Sequence, residues 1–223
     1  MLKRTMYKIN GACVTAGFMV LGPIQNNVYF ITDGAATFIV DPTCDPDALV
    51  EALGGVKLDA IVITHRHYDH IGAAARLAQR TGATVIASEI DAPYIAGELP
   101  DPDGHPGSDP CPVDQRVSDG DVVQLGGMAW RVISTPGHTP GCMCLFLDPR
   151  FGSDAAGAPL LISGDTLFCG SIGRTDFAGG SMDDMRHSLK KLATLPDNTI
   201  VLPGHNDLTT IAAERERTFA YYA

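Results

Sequence analysis

Thr64-His65-Arg66-His67-Tyr68-Asp69-His70 places three histidines and a carboxylate within seven residues, directly after the apolar run Asp59-Ala60-Ile61-Val62-Ile63. Imidazoles and a carboxylate crowded at the end of a buried strand leave several polar groups unsatisfied unless something electropositive collects them. A divalent cation does this best. If the extended geometry of the strand continues through the motif, alternate residues share a face. His65, His67 and Asp69 then project together while His70 takes another direction.

Working outward, residues 28–32 and 37–40 are short β-branched or aromatic runs joined through Asp33-Gly34, a hairpin signal. Asp45 followed by Pro46 reads as an N-cap and first helical residue. Leu49, Val50 and Leu53 supply an apolar stripe, and Gly54-Gly55 stop the helix. Behind the histidine cluster, residues 71–80 read as an alanine-rich helix ended by Gly82, and 83–87 as a further strand. Residues 100–112 carry five prolines, two glycines and three aspartates, a loop expected to wall an entrance.

Beyond that loop, residues 122–125 and 128–134 flank Gly126-Gly127 as a second hairpin, followed by strands at 143–147 and 160–163. A helix begins at Ser181, with Asp184 as a capping partner and Met182, Met185, Leu189 and Leu192 along one face. A last strand at 199–202 precedes a C-terminal helix from about Thr210. Strands alternating with helices, plus two hairpins, imply a layered α/β architecture with mixed sheets.

The chain has 223 residues, is 45% hydrophobic and lacks a long apolar span, which fits a soluble single domain over 1–223 and gives no membrane partner. Sixteen basic against twenty-six acidic residues, a formal charge of −10, offer a nucleic-acid backbone no basic surface to grip. The six cysteines show no framework spacing and read as reduced thiols of a cytoplasmic protein. Lys3, Arg4 and Lys8 ahead of residues 9–21 loosely imitate a secretory leader. Asn10, Gly11 and Gly17 interrupt that stretch, and an ordinary first strand accounts for it better.

Four apolar runs end alike. Residues 61–63 lead to His65, 131–134 to Thr135-Pro136-Gly137-His138, 160–163 to Gly164-Asp165, and 200–202 to Pro203-Gly204-His205. Each delivers a metal-capable side chain at a C-terminal strand end, where α/β folds collect their functional loops. A lone loop histidine or post-strand aspartate is ordinarily turn or surface chemistry. Four such ends beside a cluster that already demands a cation are hard to reconcile with independent turns. Five of the seven histidines can thus converge, leaving out His105 and His187.

With these residues in view, the chain resembles the metallo-β-lactamase superfamily, matching its HxHxDH motif and later His, Asp and His over essentially the full length. The resemblance implies a four-layer αββα sandwich, two mixed β-sheets flanked by helices. It further implies one metal on His65, His67 and His138, another on Asp69, His70 and His205, and Asp165 bridging. The stretch Gly164-Asp165-Thr166-Leu167-Phe168-Cys169-Gly170-Ser171-Ile172-Gly173-Arg174-Thr175-Asp176-Phe177 is similar to the short glyoxalase II-like branch, as is Gly22-Pro23-Ile24-Gln25-Asn26-Asn27. Asp165 argues against antibiotic hydrolysis, since true β-lactamases of the family lack a bridging aspartate there.

Two cations roughly 3.5 to 4 Å apart can share a water, lower its pKa to near neutrality and polarise a carbonyl. The bridging hydroxide is then the nucleophile, with Asp69 and Asp165 as the catalytic carboxylates. A thiol leaving group of pKa about 8.5 departs without a dedicated acid, which favours a small-molecule thioester such as S-lactoylglutathione or a related hydroxyacyl-thiol. A lactone or activated ester passes the same test. Zinc is the first expectation for the two ions, with iron and manganese open to an all His/Asp set.

Arg174 either binds a substrate carboxylate or pairs with Asp176. Arg66 and Tyr68 read as support or pocket wall, Cys142, Cys144 and Cys169 as packing, and His187 as solvent-facing. The chain ends eighteen residues after His205, without the C-terminal extension that carries glutathione-binding residues in longer glyoxalase II enzymes. Asn206 stands where that branch usually has glycine. Persulfide dioxygenases share the Gly-Arg-Thr-Asp-Phe segment, and that resemblance implies a single iron on His65, His138 and Asp165.

Overall fold

The computed structural model describes residues 5–105, 107–149 and 157–223, so Lys3, Arg4 and Pro106 lie outside the described residues. The stretch expected as one first strand is two, β1 (Tyr7–Ile9) and β2 (Thr15–Leu21), which pair antiparallel. Gly11, at a φ of 80°, turns the chain between them. The hairpin β3 (Asn26–Thr32) and β4 (Thr37–Val40) follows, then helix α1 (Pro46–Leu53) and strand β5 (Ala60–Ile63). Asp45 caps α1 by accepting from the Ala48 amide at 3.1 Å, and Gly54 ends it in a left-handed conformation.

The single helix expected at 71–80 is divided into α2 (Tyr68–Ile71) and α3 (Ala74–Thr81). Between them Gly72 passes so close to the Thr43 carbonyl that a Cβ would sit 2.3 Å from it, and the Ala73 amide bonds Pro42 at 2.8 Å. Tertiary contact with the loop after β4 thus overrides local helix propensity. Strand β6 (Thr84–Ser88), helix α4 (Ala92–Ile95) and strand β7 (Gln115–Val117) complete a seven-stranded sheet ordered β1 to β7, antiparallel as far as β4 and parallel beyond.

The second half begins with the hairpin β8 (Val122–Leu125) and β9 (Met128–Ser134) and continues through β10 (Met143–Leu147) and β11 (Leu160–Gly164). After the small hairpin β12 (Leu167–Phe168) and β13 (Ser171–Ile172) come helix α5 (Met182–Leu192), β14 (Ile200–Pro203) and β15 (Thr209–Thr210). The six-stranded sheet runs β15-β14-β11-β10-β9-β8, with β11 and β14 parallel and the other neighbours antiparallel. The C-terminal helix is α6 (Ile211–Glu214), a π-helical turn (Arg215–Phe219) and α7 (Ala220–Tyr222), capped by Thr210.

Alternation within the strands explains the layers. Phe38, Val40, Ala60 and Val62 face inward against Trp130, Val132, Leu145 and Ile162 of the other sheet, with Phe38 edge-on to Trp130 at 5.4 Å. Ile39, Ile61 and Ile63 point the other way, onto Leu49, Leu53 and Leu77 of α1 and α3. On the opposite outer face, Met185, Leu189 and Leu192 of α5 cover Cys144, Leu161 and Val201. Both faces of the central strands are buried, which is why their sequences are continuously apolar. The result is the expected four-layer αββα sandwich. Among the described residues no helix is long and apolar enough to cross a membrane.

Candidate metal centre

Strand β5 stops at Ile63, and the chain beyond it does not stay extended. Thr64 turns out of the sheet, held by its amide and hydroxyl on Asp41 Oδ1 and Oδ2 at 2.8 and 2.7 Å. Tyr68–Ile71 is then a helical turn, so the alternation expected to join His65, His67 and Asp69 breaks after His67. Successive residues of a helix differ in direction by about 100° rather than the roughly 180° of a strand, and Asp69 is grouped with His70 instead.

Two sets of donor atoms result, each within 4.8 Å of one another: His65, His67 and His138, and Asp69, His70 and His205. His67 Nδ1 lies 2.8 Å from His138 Nε2. Asp69 Oδ2 lies 3.2 Å from His70 Nε2 and 3.3 Å from His205 Nε2. Asp165 stands between the sets, with Oδ2 3.5 Å from the Nε2 atoms of both His138 and His205 and Oδ1 3.4 Å from His70 Nε2. Gly204 makes room for it, since a Cβ there would sit 2.3 Å from Asp165 Oδ1.

Outer bonds aim most of the imidazoles. Asp41 Oδ2 accepts from His70 Nδ1 at 2.9 Å, and the Thr64 hydroxyl that donates to Asp41 accepts in turn from His65 Nδ1 at 3.0 Å. His138 Nδ1 donates to the Arg174 carbonyl at 2.6 Å and His205 Nδ1 to the Ile24 carbonyl at 3.1 Å. In all four rings Nε2 is left facing the centre. Asn26 Nδ2 donates to Asp69 Oδ2 at 2.7 Å and orients that carboxylate.

The two sets differ electrically. Burial pushes His65 well below its usual range with help from the neighbouring histidines, and pushes His67 down to about 4 and His138 down as well. All three are neutral nitrogen donors. Burial works against charge in the other set too. There Asp165, Asp41 and Asp69 outweigh it and raise His70, while Asp69 and Asp165 raise His205. His70, His205 and Asn26 hold the Asp69 carboxyl far below the usual carboxylate range despite burial.

A divalent ion fits both sets. His65 Nε2 and Asp165 Oδ1 are buried without a hydrogen-bond partner, and each such atom costs about 1–3 kcal/mol if nothing collects it. His67, Asp69, His138, Asp165 and His205 line a cavity of about 570 Å³ with Tyr68, His105, Phe168 and Phe177 in its walls.

The geometry matches a known family. Its model, described as the metallo-beta-lactamase superfamily, matches residues 21–205. The chain belongs to the metallo-beta-lactamase superfamily. Within it, the chain is 31% identical over 198 residues to the hydroxyacylglutathione hydrolase GloC of Haemophilus influenzae, covering 86% of this chain and 90% of that protein. It is also 31% identical over 205 residues to the probable metallo-hydrolase YqgX of Bacillus subtilis, covering 89% and 93%.

Among solved structures it is similar to the BLEG-1 B3 metallo-beta-lactamase, with a TM-score of 0.80, 32% identity and coverage of 92% of this chain and 98% of that one. TTHA1623 in a di-iron-bound form gives 0.73, 32%, 89% and 96%. ETHE1 from Myxococcus xanthus gives 0.70, 27%, 96% and 82%. The superfamily match and the His/Asp clusters make this a metal-binding hydrolase of the glyoxalase II-like branch.

Every residue singled out as a ligand in the sequence lies at this centre. Arg174 is at the cavity rim, exposed, with the Nε–Nη2 edge of its guanidinium donating to Asp176 at 2.9 and 2.8 Å and its Cζ 4.3 Å from the Phe177 ring centre. Arg66 is buried on Asp91, and Tyr68 is a wall residue. Cys142 and Cys144 are buried thiols beside Thr139 and Thr135, both pushed up by burial, Cys144 to about 11. His187 is exposed and bonds the Asp183 carbonyl. Asn206 adopts a φ of 66°, a left-handed conformation that asparagine tolerates where glycine is usual.

Sequence reasoning missed Asp41, Asn26, Asp103 and His105. Asp41 carried a signal: it follows β4 as the other donors follow their strands. It sits at a φ of 49°, a strained conformation held by the bonds it accepts.

Proposed function

We propose that the chain is a dinuclear metallo-hydrolase that cleaves a small-molecule thioester, with a hydroxyacyl-thiol such as S-lactoylglutathione as the substrate class. One observation carries the reading: a single carboxylate, Asp165, reaches nitrogen donors of both three-residue sets within 3.5 Å at the floor of a cavity. His65, His67 and His138 would hold one ion and Asp69, His70 and His205 the other, with Asp165 shared. Two such ions supply an activated water and polarise the scissile carbonyl.

The chain's own residues supply the rest. Asp69 is ionised and fixed by Asn26, so it can accept a hydrogen bond from the attacking water and orient it. The walls combine the Phe168 and Phe177 rings with Tyr68 and His105, and this reading assigns none of them as a dedicated acid. A leaving thiol of pKa about 8.5 needs none. Arg174 meets an anionic substrate group when its exposed pair with Asp176, screened by water, opens. GloC of Haemophilus influenzae, a hydroxyacylglutathione hydrolase by name, supports this substrate class. Zinc is the proposed ion and the cytoplasm the proposed compartment; no nucleic acid or membrane partner is proposed.

The Gly173-Arg174-Thr175-Asp176-Phe177 segment, similar to that of persulfide dioxygenases, supports a second reading, oxidation of a persulfide on a single iron. Metal content per chain, thiol release from S-lactoylglutathione and oxygen uptake with glutathione persulfide, measured on one preparation, separate the two. Two metals with thiol release, abolished by chelation and restored by zinc, are expected. A single iron with oxygen uptake and no thioester cleavage overturns the hydrolase.

A further inference from the structure

Four site histidines are held from behind through Nδ1, as the bonds to Thr64, Asp41, the Arg174 carbonyl and the Ile24 carbonyl show. His67 is the reverse. Its Nδ1 faces the centre, 2.8 Å from His138 Nε2, so its outer nitrogen is Nε2. That atom is buried and has no hydrogen-bond partner. Facing it at 3.6 Å is Asp103 Oδ2, which is also buried without a hydrogen bond. Two orphaned groups of complementary chemistry thus oppose each other across a separation slightly longer than a hydrogen bond.

Asp103 is itself held in place. Its other oxygen, Oδ1, accepts from the Ala178 amide at 2.7 Å, and its side chain is only 7% exposed. Arg66 Nη2 lies 3.7 Å from Oδ2 and bonds the Ala178 carbonyl at 2.7 Å, while Nη1 is on Asp91 at 3.1 Å and the guanidinium lies 4.9 Å from the Tyr94 ring centre. This buried cation holds the Asp103 side chain near His67. The proline-rich loop is therefore anchored to the metal centre as well as walling the cavity through His105.

We propose that Asp103 is the positioning residue for His67: it accepts a hydrogen bond from Nε2–H, fixes the tautomer with a bare Nδ1, and so completes the three-histidine set. The contact closes to a hydrogen bond when Nδ1 takes up a metal ion. A carboxylate behind a metal-bound imidazole raises its basicity, and losing one costs about 10–100-fold in metal affinity. The inference rests on the metal reading of the site and not on the substrate.

The test uses zinc-loaded full-length protein. Nitrogen-15 NMR of labelled histidines reads the tautomer of each ring, and competition with a chromophoric chelator reads the zinc affinities. In the wild type, His67 is expected to be protonated at Nε2, alone among the five. In D103N, one of the two zinc affinities should fall about 10–100-fold, by more than any shift of the metal-free unfolding midpoint accounts for.

An Nε2-protonated His67 in wild type with unchanged zinc affinities in D103N overturns the role of Asp103. An Nε2 that is bare or metal-bound in wild type does so alone, even if D103N fails to fold. Wild type that takes up no zinc removes the metal reading, and this inference with it.

Discussion

The two halves of the centre are built from opposite materials. His65, His67 and His138 come from strand ends and are neutral and dry. Asp69 and His70 come from one helical turn and, with His205, sit among carboxylates that keep the group charged. Asp165 is the element they share. The contrast teaches how one short motif supplies donors to both sets. The chain changes from extended to helical between His67 and Tyr68, and the change in direction divides the ligands.

The largest expected effect comes from removing what joins the halves. Asp165→Ala should empty both metal positions and lower thioester hydrolysis by more than the roughly 10–100-fold that loss of an outer partner costs. Full dinuclear occupancy by elemental analysis would break the picture of a shared carboxylate. Next, His138→Ala and His205→Ala should each cost one metal ion per chain and leave the other bound. Loss of both ions from either variant would show that the halves do not bind independently.

Asp41→Asn sharpens the contrast further. The His70 half takes its bond from Asp41 directly, and the His65 half only through Thr64. Metal affinity should therefore fall about 10–100-fold at the Asp69–His70–His205 position and less at the other, read by chelator competition. An equal loss at both would make Asp41 a general support.

The smallest effect lies at the far end of the sandwich. Asp33 accepts from the Ala35, Ala36 and Gly127 amides and ties the two hairpin turns together. Slight burial opposes its ionisation, but these amides lower its carboxyl below the usual value. Its contribution is present above the unfolded pKa of about 3.9 and fades as pH falls through the lower folded value. Asp33→Ala should cost about 0.5–1 kcal/mol at pH 7, seen as a lower denaturation midpoint, with metal content unchanged.

Much of this was legible in the chain. The hairpin turns, the caps at Asp45 and Ser181, and the buried strands all follow local patterns that the structure keeps. Two failures share one cause. Residues 71–80 were not one helix, and His65, His67 and Asp69 did not share a face, because the loop after β4 presses on Gly72 and holds Thr64. Such contacts join residues twenty or more positions apart and leave no periodic trace nearby. Asp103 was hidden in a loop whose prolines announced only the absence of regular structure.

By itself the sequence determined which side chains can ligate and that they stand at strand ends, because alternation and turn chemistry are local properties. Their division into two sets, the carboxylate between them and the bonds behind each imidazole were decided by the packing of two sheets. Only that packing brings Asp41, Asp103, Asp165 and His205 to the same few ångströms as the opening motif.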